Sequence, residues 1–507
     1  MRPRTNRTII PAPFFPPPEP NAVTGLLNSL PQRAQRLGER TSLLRGLLLG
    51  VLLLSLLIKL VLIYQADWHE RSILKMEYGF GPVITALYEK QSLEACGVAY
   101  ALDFCGVAGR MPLLPFAYAE LARLIGTSQG ALAFTKTLVF QALLGGALLW
   151  LFQTLRGFPL RRLALVLIAA LTLLGPQYLK HSISVQYEES LLLDLFLIYF
   201  TLLAVVLTRQ RLRAALSVLD YGILILLALS GCTLYFIKSS LVLFGLIAIA
   251  APVWLVRMPR ALRVAMFLPL IAGLGWWGAV NYAYHGEVRL GSSYNGENLY
   301  RGQNPYTYKM YPEINLDRII DSREVQLNSG EVIKLPDWTV NFPKFKSEWE
   351  WHDYFAHLGK QWMLDNPQQA LELSLRKLWV LFLEPGKVPF RQYGQPGADP
   401  LDYSLATLLA GAGWIVLMRV LFFMALGLAL WHLLRRDEDW RPALFFLLFV
   451  GAYAAPYAAG FAYQRHVTPL LVLAACYLPL LTLPRTTSTT AAATVTPSPC
   501  PPITAAP

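Results

Sequence analysis

Apolar runs long enough to cross a lipid bilayer recur along the chain from residue 43 to residue 483. A transmembrane helix needs about 20 mostly apolar residues. Of the 507 residues, 55% are hydrophobic and only 15% are charged, unlike most soluble proteins. The sequence therefore predicts an all-α polytopic membrane protein with about 10 transmembrane helices. The predicted spans are residues 43–63, 131–152, 163–179, 186–207, 219–236, 238–256, 262–284, 405–434, 443–460 and 466–483.

Short loops rich in arginine give the predicted orientation of these spans. Cytoplasmic loops are enriched in Lys and Arg, and loops such as 156–162 and 208–213 fall on one side when the spans alternate. This distribution accounts for the net charge of +12 without nucleic-acid binding. We therefore expect a multi-pass protein of the plasma (inner) membrane, with its N-terminus in the cytoplasm.

Polar and Pro-rich segments divide the chain into five parts. The two ends are compositionally biased and are predicted to be tails, while a polar stretch interrupts the membrane helices. That stretch is expected to form a small irregular extracytoplasmic region with an interfacial or re-entrant helix at residues 371–383. The parts are a disordered Pro-rich cytoplasmic tail (1–42), an N-terminal membrane core (43–284) with a catalytic first outer loop (64–130), the extracytoplasmic loop region (285–404), C-terminal membrane helices (405–483) and a low-complexity tail (484–507).

Two carboxylates follow the first predicted span. Asp67 lies about four residues beyond it, and Glu70 comes three residues later, on the same face if the helix continues. A carboxylate that is partly desolvated at the membrane boundary has the raised basicity that a general base needs. Asp67 is therefore the candidate base. Glu70 is a candidate to share a proton or a metal ion with it; a solvated helix-end charge is the alternative for each.

The first outer loop also contains two cysteines and a Gly-Arg-Met-Pro turn. Cys96 and Cys105 form a disulfide if the loop is extracytoplasmic, or remain two free buried thiols. Asp103 and Arg110 lie close by, and Arg110 can bind a phosphate in bidentate fashion or form a structural salt bridge.

Three acids at the start of the fourth predicted span are costly in a membrane unless they are paired. Glu188 and Glu189 compensate the helix dipole, but Asp194 lies about two turns into an apolar helix. Lys180 and His181 precede them across a short loop and are the candidate partners.

Several cations lie on the predicted outer face, against the usual preference for the inside. Lys238, Arg465 and His466 either converge on a lipid phosphate or extend to lipid headgroups. Arg419 lies within the predicted span 405–434, so it requires a partner or a cavity. No Walker loop, dinucleotide fingerprint, HExxH helix or GxSxG elbow is present, which argues against ATP-driven pumps and most hydrolases.

Taken in order along the chain, these motifs resemble those of the GT-C superfamily of integral membrane glycosyltransferases. The likeness is to its bacterial protein O-mannosyltransferase and aminoarabinose transferase branch. It rests on Asp67 and Glu70 after the first span, GRMPLLPFAYAELARLIG at 109–126, YEESLLLDLFLIYF at 187–200 and YQRHVTPLLVL at 463–473. Each motif is short, and the likeness covers roughly residues 43–483.

The resemblance implies transfer of a sugar from a polyprenyl-phosphate-linked donor to an acceptor hydroxyl on a glycan, lipid or protein. The reaction would be an inverting displacement on the extracytoplasmic face, with Asp67 as general base, Glu70 as a supporting acid or metal ligand and Arg465 on the donor phosphate. No cofactor is certain; a divalent metal ion on Asp67 and Glu70 remains open. The residues expected to bind substrate are Arg110, Glu188, Glu189, Lys238, Arg465 and His466.

Two other function classes remain open. A glycan polymerase or ligase also uses a lipid-linked donor, but relies more on outer-loop Arg and His residues. A lipid or solute transporter would be expected to show internal repeats and broken helices with charges near the middle of the membrane. The sequence shows no clear repeat and one charge well inside a predicted span, Arg419.

Overall fold

The computed structural model describes residues 39–66, 68–77, 79–96, 105–212, 216–314, 324–335, 344–383, 405–437, 440–460, 462 and 464–481. The predicted tails at 1–38 and 484–507 lie outside these residues, as do Asp67 and Asp103. The described chain is mostly helical. Its helices are α1 (Thr41–Gln65), α2 (Phe80–Lys90), α3 (Leu113–Ile125), α4 (Gln129–Thr154), α5 (Pro159–Leu173), α6 (Pro176–Ile183), α7 (Glu188–Leu212), α8 (Val218–Ile237), α9 (Val242–Leu255), α10 (Arg260–Ala265), α11 (Leu268–His285), α12 (Tyr294–Gly302), α13 (Pro305–Met310), α14 (Glu348–Asp365), α15 (Pro367–Phe382), α16 (Leu405–Arg435), α17 (Trp440–Ala459) and α18 (Gln464–Leu481).

Seven helical segments in the described part of the chain are long and apolar enough to cross a membrane, or eight if the bent pair α5–α6 counts as one span. The seven are α1, α4, α7, α8, α10 with α11, α16 and α17. The predicted all-α polytopic architecture is therefore confirmed. Two further predicted spans correspond to shorter apolar helices, at Ser239–Leu255 and Arg465–Ala475, so the described residues do not establish the predicted count of 10.

The third predicted span is not a continuous helix. Helices α5 and α6 meet at an angle of 62°. Pro176 begins α6 and has no N–H with which to continue the hydrogen bonds of α5. The carbonyl of Leu171 instead accepts a 2.7 Å hydrogen bond from the Trp414 indole. A Cβ added at Gly175 would overlap that indole, so the glycine leaves room for the side chain that compensates the break.

Helix α7 lies at the centre of the membrane bundle. About four-fifths of its most apolar stretch is buried (78%), more than in any other candidate span of the described chain. Its aromatic side chains pack against rings from α9, α17 and α18. Phe196 stacks on Phe244 at 4.7 Å, and Phe200 contacts Phe449 at 5.0 Å and Tyr477 at 5.6 Å between ring centroids. These contacts fix the middle of α7 within the bundle.

A buried ion pair joins α7 to the first membrane helix. Lys59 Nζ lies 3.9 Å from Asp194 Oδ1, and the Tyr178 hydroxyl donates a 2.8 Å hydrogen bond to the same oxygen. Lys59 also donates to Tyr178 (3.1 Å) and to the Gln141 carbonyl oxygen (3.3 Å). Two charges in the apolar bundle thus neutralise one another and satisfy their polar neighbours.

This pairing corrects the expected partners of Asp194. The sequence predicts Lys180 or His181, the nearest cations along the chain. The structure pairs Asp194 with Lys59, and the His181 ring lies instead 3.0 Å from the Thr468 hydroxyl. The sequence gives little sign of this pairing, because Lys59 is a single residue within an apolar run and its partner is more than a hundred positions away.

Arg419 pairs with a helix end. Its guanidinium donates a 2.6 Å hydrogen bond to the carbonyl of Leu383, which caps α15, and the rings of Phe382 and Phe422 stack beside it. The terminal carbonyls of a helix have no partner within that helix, so a cation from α16 compensates one of them. Helix α15 occupies the position of the predicted interfacial helix and is not one of the candidate spans.

The extracytoplasmic loop region is predicted to be small and irregular. Its described part contains α12 packed on α14, the short helix α13, and a two-stranded antiparallel hairpin, β3 (Glu324–Gln326) with β4 (Val332–Lys334). In the first outer loop, β1 (Ala95–Cys96) pairs with β2 (Cys105–Gly106), and a disulfide joins Cys96 to Cys105. Of the two alternatives for these cysteines, the structure has the paired one.

The Lys59–Asp194 pair makes a prediction about stability. Lys59→Met should lower the free energy of unfolding by about 3–5 kcal/mol, because it leaves the carboxylate of Asp194 buried without a cation. Lys59→Met with Asp194→Asn should recover most of the loss. Thermal unfolding of the purified protein in detergent measures both, with the exposed Lys75→Met as control. A single variant as stable as wild type would contradict the pairing.

Candidate functional site

A cavity of about 660 Å³ opens among the ends of several helices, and this volume is typical of small-ligand sites. Residues from the first outer loop, α7, the loop region and α18 line it together. The described lining residues are Met76, Gly79, Phe80, Pro82, Arg110, Met111, Gln186, Tyr187, Glu188, Glu189, Lys238, Ser239, Ser240, Ser292, Tyr294, Asn295, Asn298, Leu299, Arg301, Pro456, Tyr457, Ala459, Gly460, Arg465 and His466.

Several helices begin at this cavity. Phe80, Glu188 and Tyr294 are the first residues of α2, α7 and α12, Ser239 begins the 3₁₀ turn before α9, and Arg465 is the second residue of α18. The N-terminal end of a helix carries partial positive charge and unpaired N–H groups. Their convergence favours negative charge in the cavity.

Glu189 is the centre of the charged network in the cavity. Lys238 donates a 2.6 Å hydrogen bond to its Oε1, and His466 Nε2 lies 3.1 Å from the same oxygen. Arg465 Nε lies 3.7 Å from the other carboxylate oxygen. Because Glu189 is buried, these ion pairs are little screened by water, and the carboxylate holds three basic side chains in one place.

Glu188 is the more exposed of the two carboxylates. It lies 3.7 Å from Arg110 and 3.4 Å from Lys238, so it bridges the first outer loop and the turn after α8. Burial opposes the charge of Lys238, but Glu189 and Glu188 outweigh it and raise the pKa of Lys238 above its usual value of 10.5. Lys238 is therefore an ammonium ion throughout the physiological pH range.

Aromatic rings fix the orientation of the cations. The Arg110 guanidinium lies between the rings of Phe80 and Tyr294, at 4.7 and 4.5 Å from their centroids. Arg465 lies 4.8 Å from the ring centroid of Tyr187, and the His466 ring stacks on Tyr457 at 4.2 Å. These cation–π and stacking contacts restrict the side chains.

All six residues predicted to bind substrate line this one cavity. They come from the first outer loop (Arg110), the start of α7 (Glu188 and Glu189), the turn after α8 (Lys238) and the start of α18 (Arg465 and His466). The sequence predicted that these groups lie on one face of the membrane. The structure brings them together around two carboxylates.

Of the two predicted catalytic acids, the structure describes only Glu70. Glu70 is exposed and is not a lining residue; its segment packs on the start of α4, where the Gly130 amide donates a 3.0 Å hydrogen bond to the Trp68 carbonyl. Asp67 lies outside the described residues. No group of three or more His, Cys, Asp or Glu side chains in the described residues has the arrangement of a metal site.

Sequence reasoning missed three residues around the cavity. Arg301 lines it and forms a buried ion pair with Glu297, four residues earlier on α12, a helical spacing that the sequence does show. Lys377 of α15 donates to the carbonyls of Gly302 (2.6 Å), Ala459 (3.2 Å) and Ala458 (3.3 Å), and thereby caps α17 at the cavity wall. Nothing local in the sequence signals this contact.

Comparisons with known proteins identify no relative of this chain. No protein-family model matches the chain, and neither a curated protein sequence nor a solved structure matches it significantly. Functional inference therefore depends on the cavity itself.

The chemistry of the cavity favours an anionic ligand with an apolar or sugar-like part. The described lining residues include three basic side chains, Arg110, Lys238 and Arg465, against two carboxylates. A fourth, Arg301, is already balanced by its buried ion pair with Glu297. Arginine and lysine bind phosphate groups by charge-assisted hydrogen bonds, and aromatic rings beside them provide flat apolar surfaces.

The Glu189 network predicts a change in pH dependence. Glu189→Gln should lower the pKa of Lys238. Burial still opposes the positive charge of Lys238, while the carboxylate that contributes most to keeping Lys238 protonated is lost. Lys238 then loses its proton at lower pH than in wild type, so the affinity for inorganic pyrophosphate should fall earlier as pH rises.

Titration of pyrophosphate binding between about pH 6 and pH 10 measures this shift. Glu120→Gln, which removes an exposed partner of Arg123, is the matched control and should leave the profile unchanged. Identical profiles for Glu189→Gln and wild type would show that Glu189 does not hold the charge of Lys238.

Proposed function

We propose that this protein is a membrane glycosyltransferase that moves a sugar from a polyprenyl-phosphate-linked donor to an acceptor hydroxyl on the extracytoplasmic face. The observation that carries the proposal is the convergence of Arg110, Lys238, Arg465 and His466 on one cavity where helices begin. A cavity with this charge, open beside membrane helices, suits the phosphate of an anionic lipid carrier.

In the proposed reaction the cations hold the donor phosphate and the aromatic rings flank the sugar. The oxygen of the acceptor hydroxyl attacks the anomeric carbon from the face opposite the phosphate. A new glycosidic C–O bond forms as the C–O bond to the phosphate breaks, and the phosphate leaves on the lipid with the bonding electron pair. The stereochemistry at the anomeric carbon is inverted.

The proton of the acceptor hydroxyl passes to a carboxylate, for which Asp67 remains our candidate. General-base assistance of this kind contributes about 10²–10⁴ to the rate. Glu189 suits this role less well because three basic side chains surround it. Cations around the phosphate stabilise the charge that develops on the leaving group. A divalent metal ion bound through Asp67 and Glu70 is not part of this mechanism, because Glu70 is exposed and does not line the cavity that holds the phosphate.

Transport of a lipid or solute is the second candidate function, and one observation favours it. The break between α5 and α6 lies beside the Lys59–Asp194 pair, through Tyr178. Broken helices with charged groups inside the membrane are common in transporters. The two functions differ in outcome, since a transferase changes the covalent structure of the donor and a transporter only moves it.

Paired variants test the proposal. Asp67→Asn should reduce sugar transfer by about 10²-fold or more while leaving donor binding intact. Arg465→Gln should weaken donor binding itself, because it removes a phosphate contact. Transfer and binding are measured in membranes with a radiolabelled polyprenyl-phosphate sugar.

Glu77→Gln changes an exposed carboxylate of the same loop and is the matched control. Wild-type activity in Asp67→Asn would remove the assignment of the base. Donor that crosses the membrane without losing its sugar would favour the transporter.

A further inference from the structure

Glu348 is a buried carboxylate remote in sequence from the substrate-binding residues. It is the first residue of α14, only 3% exposed, and lies against the loop that follows the disulfide. Its Oε1 accepts hydrogen bonds from the backbone N–H groups of Val107 (2.8 Å) and Ala108 (2.9 Å). His285 Nε2 lies 2.8 Å from the same oxygen, and the Ser293 hydroxyl donates to Oε2 at 2.9 Å.

Four donors from three segments of the chain therefore surround this one carboxylate. Two consecutive backbone N–H groups pointing at one oxygen form a small anion-binding concavity. Gly106 completes it, because a Cβ at this position would overlap the Glu348 carboxylate. The loop backbone is therefore shaped around this one side chain.

The same loop carries Arg110 into the cavity. The Ala108 carbonyl accepts a 2.8 Å hydrogen bond from the Ser293 amide, and the Gly109 carbonyl accepts a 3.0 Å bond from the Ser292 hydroxyl. Arg110 and Tyr294 follow directly in their respective segments and pack together, guanidinium on ring. Glu348 thus binds both the loop that carries Arg110 and the segment that carries Tyr294.

The disulfide fixes the N-terminal end of this loop. Cys105 precedes Gly106 and is bonded to Cys96, so residues 106–109 are held at one end by a covalent bond and along their length by Glu348. Because Arg110 is the next residue, its backbone position depends on both constraints.

We infer that Glu348 is a positioning residue that holds the Arg110 loop and the Tyr294 segment together, so that Arg110 meets the anionic group of the ligand in a fixed orientation. This inference rests on the proposed function only in naming that ligand as a lipid phosphate. Glu348 itself is not a lining residue of the cavity and acts through Arg110.

Hydrogen exchange tests the structural half of the inference. In Glu348→Gln the charge that attracts the four donors is lost, so the amides of residues 105–111 should exchange about 10-fold faster or more. Asp365→Asn, an exposed carboxylate on the same helix, is the control and should leave their exchange unchanged. Unchanged exchange in Glu348→Gln would overturn the inference.

A double-mutant cycle tests the functional half. With farnesyl phosphate as the probe, Glu348→Gln and Arg110→Gln should each raise the Kd by about 10-fold. The double variant should bind no more than about twofold more weakly than Arg110→Gln, because Glu348 acts through Arg110. A purely structural role would lower affinity independently of Arg110, so losses that multiply would overturn the inference.

Two further results distinguish a failure of the proposed function from a failure of the inference about Glu348. If wild-type protein does not bind farnesyl phosphate, the proposed function fails, and hydrogen exchange alone decides whether Glu348 positions the loop. If Glu348→Gln does not accumulate, Ser293→Ala removes one donor and should loosen the same amides to a smaller extent. Faster exchange in this variant supports the inference, and no change contradicts it.

Discussion

The cost of leaving a charge unpaired in an apolar environment governs much of this structure. Helix α7 brings three carboxylates into or next to the membrane bundle, and each is paired with basic side chains from other parts of the chain. Asp194 is paired with Lys59 of α1, while Glu188 and Glu189 gather Arg110, Lys238, Arg465 and His466. Since an isolated buried ion is destabilising by several kcal/mol, these pairings constrain which helices can lie against α7.

The two groups of charges differ in whether they leave positive charge available to a ligand. The Lys59–Asp194 pair is enclosed and balanced, with Tyr178 and Gln141 completing its hydrogen bonds. At the cavity the balance is uneven, because more cationic side chains than carboxylates line it and helices begin there. That excess supports the proposal that an anionic group completes the site. Glu188 and Glu189 then keep the cations in place before such a ligand arrives.

The loop region contributes through backbone geometry more than through charge. Glu348 organises the Arg110 loop by accepting N–H groups, and Lys377 compensates the carbonyls at the end of α17. Both act on the ends of segments, where backbone groups lack partners within their own element. The walls of the cavity are therefore set by side chains that do not themselves line it.

The sequence by itself determined the class of architecture, the approximate bounds of most membrane helices and six of the residues that line the cavity, because hydropathy and the rarity of charge near a membrane are local signals. It did not determine the break at Pro176, the partner of Asp194, or the roles of Glu348 and Lys377. Those depend on which segments meet, and Lys59 and Asp194 are separated by more than a hundred residues. Only tertiary structure decides such pairings, since any buried cation of suitable reach would satisfy the same carboxylate, and packing selects which one does.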